Sequence, residues 1–133
     1  MLRPLVIVLV LGQAATVPVY AHHSFAMFDT VNRVTLTGTV TTFEWTNPHV
    51  YIEIDVPDPK GVAKHWSIEL GSPSILMQSG WKFTAIKVGD RLTLLVNPLK
   101  SGQPGGMLVQ ATLADGRVLT NGPGAGPAPA GQR

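Results

Sequence analysis

The chain has no cysteine. Disulfides, thiolate metal sites and a cysteine nucleophile are therefore all excluded. Only 14% of its residues are charged, and the formal net charge is +2. No block of like charge stands anywhere in it, so there is no field for a polyanion, and nucleic acid is not an expected partner. The serine-hydrolase Gly-x-Ser-x-Gly pattern, the phosphate loop and the zinc-protease His-Glu-x-x-His are also missing. No repeat recurs at a period of 20–50 residues. The long apolar run lies near the start, at residues 5–11, and it is too short for a bilayer, which needs about 20 apolar residues.

That run belongs to a different pattern. Arg3 precedes it, and Val19-Tyr20-Ala21 follows with small residues at the two positions a signal peptidase reads. Residues 1–21 are expected to be a signal peptide, removed on export to the periplasm, with no stable membrane anchor left behind. The exported chain would begin His22-His23-Ser24. It is the size of one domain and large enough to form a small core without disulfides.

Residues 22–33 read as an N-terminal lead, with Phe25, Met27 and Phe28 apolar enough to dock on the body. The body is expected over residues 34–119. A Gly, Pro and Ala tail at residues 120–133 has little to bury and is expected to be disordered.

The body's alternation is period two. A long first strand is expected over residues 33–44, bending at Gly38. Trp45-Thr46-Asn47-Pro48 is turn chemistry. A second strand over residues 49–56 alternates Val50, Ile52, Ile54 and Val56 with His49, Tyr51, Glu53 and Asp55. Pro57-Asp58-Pro59-Lys60-Gly61 turns into a third strand over residues 63–70. A hairpin centred there sets Glu53 beside Ser67, Glu69 beside Tyr51, and His65 across from Asp55. Ser72 and Pro73 start a short helix that Gly80 ends. A fourth strand covers residues 91–97, a Gly/Pro loop residues 98–105, a fifth strand residues 107–113, and a short extended piece residues 117–119. The order β-β-β-α-β-β is that of the OB fold, a small five-stranded barrel. An open β-sandwich is the alternative.

The chain also resembles a family of small exported bacterial proteins catalogued only as a domain of unknown function. The resemblance rests on His22-His23-Ser24-Phe25, Phe28-Asp29, Val34-Thr35-Leu36-Thr37-Gly38-Thr39-Val40 and Glu44-Trp45-Thr46-Asn47-Pro48-His49. It continues through Glu69-Leu70-Gly71-Ser72-Pro73, Gly80-Trp81, Val88-Gly89-Asp90 and Leu113-Ala114-Asp115-Gly116-Arg117. It spans essentially all of residues 22–119. It implies kinship and export, and carries no activity with it.

Two candidate sites remain. The first is a copper site. With His22 leading the exported chain, its amine and imidazole close a chelate ring, and His23 or His49 can complete a planar nitrogen set that suits Cu(II). The competing reading makes the His pair a flexible leader, and His49 a hydrogen-bonded residue that orders the Trp45 loop. The second candidate is the polar strand face of Tyr51, Glu53, His65, Ser67 and Glu69, with Trp45 beside it. It would serve a small ligand or an unidentified periplasmic protein without any metal. A solvated face accounts for the same residues. No pair of carboxylates is forced together as general acid–base catalysis needs, so no enzyme is expected.

Overall fold

The computed structural model describes residues 25–125. It is mostly β, a closed five-stranded mixed barrel with one extra strand and one short helix. The strands are β1 (Val34–Glu44), β2 (Tyr51–Pro57), β3 (Ala63–Glu69), β4 (Arg91–Pro98), β5 (Gly105–Thr112) and β6 (Val118–Thr120), with α1 (Pro73–Met77) between β3 and β4. The sheet runs β3-β2-β1-β4-β5-β6, and β3 also pairs with β5. That last pairing is parallel, joining Ser67, Ile68 and Glu69 to Gly105, Gly106 and Met107. It closes the barrel and excludes the open sandwich.

β1 serves both halves of the barrel. Its first part, Val34 to Thr39, pairs with β4. Its second part, Thr39 to Glu44, pairs with β2. The strand turns this corner at Gly38, where a Cβ would lie 2.3 Å from the Asp55 carbonyl oxygen. A bulge follows between Val40 and Thr42. One extra residue reverses the in–out parity, because side chains alternate with period two. Val40 points into the core, and so does Phe43, which packs against it beside Trp45.

The hairpin of β2 and β3 has the register its sequence implies: Tyr51 faces Glu69, Glu53 faces Ser67 and Asp55 faces His65. Its inward residues Ile52, Ile54 and Ile68 are fully buried. Ser72 caps α1 by accepting from the Ile75 backbone N–H, and Pro73 fills the first turn. The helix ends at Met77, sooner than expected. The Gly80 N–H returns to the Met77 carbonyl and the Trp81 N–H to that of Leu76. Trp81 is 1% exposed and core, and its Nε1 donates to the Thr120 carbonyl at 2.8 Å.

Two departures matter for the site. β5 begins at Gly105, inside the segment expected to be a loop. Its glycines are in the strand because β5 must lie between two neighbours: a Cβ on Gly106 would meet Val96 at 2.4 Å, and one on Gly105 would meet Leu99 at 2.9 Å. Beyond Leu119 the chain stays structured through Ala125. The Asn121 N–H donates to the Val109 carbonyl, and the Asn121 Oδ1 accepts from the Gly71 N–H at 2.7 Å. Residues 126–133 of the expected tail lie outside the described residues.

Candidate functional site

The outer wall of the barrel carries a cavity of about 680 Å³. Its floor follows from register. Glu69 on β3 stands beside Met107 on β5, and Met107 stands beside Asn97 on β4. Direct cross-strand partners share a face. Their sequence neighbours Ile68, Leu108 and Val96 are buried in the core, which sends this row outward.

Two flanking segments raise the walls. On one side is the lead. The turn Phe25–Met27 is tied to the chain after β4: Phe28 bridges Leu99, the Asp29 N–H donates to the Pro98 carbonyl, and the Lys100 N–H to that of Met27. Phe28 is buried, whereas Phe25 is 70% exposed and still lines the cavity. On the other side are Ser72 and Ile75 of the helix region, with Asn121 and Ala125.

Polar groups mark the two ends of the floor. At the β4 end, Arg33 donates through Nε to the Asn97 Oδ1 at 3.2 Å. Asn97 is only 4% exposed. At the β3 end stands His49, which follows the cis Asn47–Pro48 bond. Its Nδ1 lies 3.0 Å from the Leu70 carbonyl and 3.6 Å from Glu69 Oε1. A carbonyl only accepts, so Nδ1 carries the proton. The Thr46 hydroxyl donates to the His49 carbonyl at 3.1 Å and steadies the turn.

The polar face of β2 and β3 adjoins the Glu69 end. His65 sits between two carboxylates, with Nδ1 2.8 Å from Asp55 and Nε2 2.9 Å from Glu53. Both ring nitrogens therefore donate, and the bond to Asp55 raises the imidazole's pKa. The Ser67 hydroxyl donates to the other Glu53 oxygen at 2.7 Å. Burial, and then the charge of Glu69, raise the Tyr51 phenol.

The fold thus brings His49 and Glu69 together at one end of the cavity, and Tyr51, Glu53, His65 and Ser67 together on the adjoining face. Glu69 belongs to both. Trp45 takes no part in that network; it is half-buried against the core, edge-on to Phe43 at 5.8 Å. His22 and His23 lie outside the described residues. Among the described residues no group of three His, Asp or Glu side chains is placed to hold a metal. No helix among them is long and apolar enough to cross a membrane.

Sequence reasoning missed Arg33, Asn97 and Met107. The available signal was a polar Asn97 straight after buried Val96, but only the parallel β3–β5 pairing shows that it shares a floor with Glu69.

Residues 10–110 match a family of unknown function, DUF6152. No curated protein and no solved structure matches the chain.

Proposed function

The chain belongs to the DUF6152 family, and because membership brings no activity with it, we propose that it is an exported, non-enzymatic binding domain that holds copper where its lead folds back on the barrel. One observation carries this reading: Phe25 and His49 line the same cavity. His22 is three residues ahead of Phe25, and three residues reach about 10 Å at full extension. An exported chain beginning at His22 would carry its amine and two imidazoles within three residues of the cavity that His49 also lines.

The chemistry of the donors suits this. An amine and imidazoles form the nitrogen set that Cu(II) favours. Donation from His49 Nδ1 to a backbone carbonyl is the kind of outer-shell bond that fixes the orientation of a metal-binding imidazole. Of the carboxylates nearby, Glu53 is engaged by both His65 and Ser67.

Copper titration of protein recovered from the periplasm, with its N-terminus fixed by mass spectrometry, tests the proposal. One equivalent of Cu(II), with a nitrogen-ligand spectrum lost in His22→Ala, is expected.

A second reading is a metal-free module that takes a small ligand or a periplasmic partner on the face of Tyr51, Glu53, His65, Ser67 and Glu69. It is favoured by the doubly bonded His65, which holds two carboxylates in fixed positions. The same titration separates the readings: no copper binding by the native terminus leaves this face as the docking surface.

A further inference from the structure

The cavity has its own polarity, which the copper reading does not use. Arg33 stands with Asn97 at one end of the floor and Glu69 at the other, with Met107 between them. Phe25 and Ile75 add apolar surface from the two walls. Among the described residues no carboxylate pairs with Arg33. Arg33 is exposed and lines the cavity, and its Nε donates to the nearly buried Asn97, which anchors the guanidinium at the cavity's edge.

The dimensions are equally specific. Asn97 and Glu69 are two strand spacings apart, and each spacing is about 4.8 Å, giving about 10 Å in all. An extended tripeptide at 3.3–3.6 Å per residue also covers about 10 Å. A cavity of about 680 Å³ lies in the range for small-ligand sites.

We propose that this cavity binds short apolar peptides of tripeptide length, with the terminal carboxylate at Arg33, the terminal ammonium at Glu69 and the side chains over Met107, Phe25 and Ile75. Free zwitterions are selected because each end meets an opposite charge beside a hydrogen-bonding neighbour. A capped end would leave Arg33 or Glu69 facing a neutral group, and losing a charge-assisted contact at a solvent-accessible site costs severalfold in affinity.

This inference does not depend on copper, and its test excludes it. The full chain is titrated calorimetrically in the presence of a chelator with trileucine, N-acetyl-trileucine, trileucine amide and triglycine. Trileucine is expected to bind, either cap to weaken binding severalfold, and triglycine to give no measurable heat. Arg33→Ala should abolish the preference for the free acid over the amide, and leave the preference for the free amine. Glu69→Gln should do the reverse. Both residues have solvent contact, and unchanged far-UV circular dichroism confirms that the variants fold. The proposal is overturned if trileucine does not bind, if capped and free peptides bind alike, or if either folded variant keeps the discrimination assigned to its residue.

Discussion

Phe25 and His49 line one cavity although they come from the lead and from the turn before β2. They share it because the lead does not trail away. Backbone bonds at Met27 and Asp29, and the bridge from Phe28 to Leu99, attach it to the chain leaving β4. Leu99 in turn is held by its N–H to the Gly105 carbonyl, at the start of β5. The same closure that makes the barrel therefore places the beginning of the described chain on a cavity that a histidine also lines.

Gly38 should be intolerant of any side chain. Ala at this position would drive a Cβ against the Asp55 carbonyl, which is backbone and cannot swing aside. Gly38→Ala is expected to cost about 1–3 kcal/mol, as overpacking does, measured by urea unfolding. An unchanged midpoint would contradict the corner described here.

His65 should titrate above 6.5, the ordinary value for an imidazole, because of its bond to Asp55. Its charged form is favoured in the folded state. The stability it contributes is fully present below the unfolded value, and is lost as pH rises through the higher folded one. The side chain is 57% exposed, so the contribution should stay below about 1 kcal/mol. Imidazole chemical shifts followed against pH give the value directly. Asp55→Asn should lower it more than Glu53→Gln; a value at or under 6.5 in the unmodified protein would contradict the clamp.

Trp81 should hold the extra strand to the barrel. Trp81→Phe removes the indole donor to the Thr120 carbonyl and leaves a smaller ring in a closed site. A loss of about 1–3 kcal/mol is expected, together with faster amide exchange across Val118–Thr120. Exchange there that matches the unmodified protein would show that β6 is held by other contacts.

The sequence reveals the hairpin of β2 and β3 because alternation and a turn at Pro57 to Gly61 together leave one register. The α1 cap is equally readable in Ser72 and Pro73. The bulge at Thr41 is not, since a run of Val and Thr alternates equally well before and after a slip. Gly105 and Gly106 look like a loop in isolation, and only the space between β3 and β4 explains them. The cavity is the least legible feature. Its floor needs Asn97, Met107 and Glu69 side by side, and that depends on a parallel pairing between strands distant in the chain. The expected metal ligands divide along the same line: His49 can be placed, whereas His22 and His23 lie outside the described residues.

The most direct test of the copper site is a Cu(II) titration of protein with a verified His22 terminus, set beside His22→Ala, His49→Ala and His65→Ala. Binding of one equivalent is expected, lost in His22→Ala, weakened about tenfold or more in His49→Ala as a ligand or its support is removed, and unchanged in His65→Ala. Absence of binding above that of an unrelated exported domain, or equal binding by the His22→Ala and unmodified proteins, would contradict it.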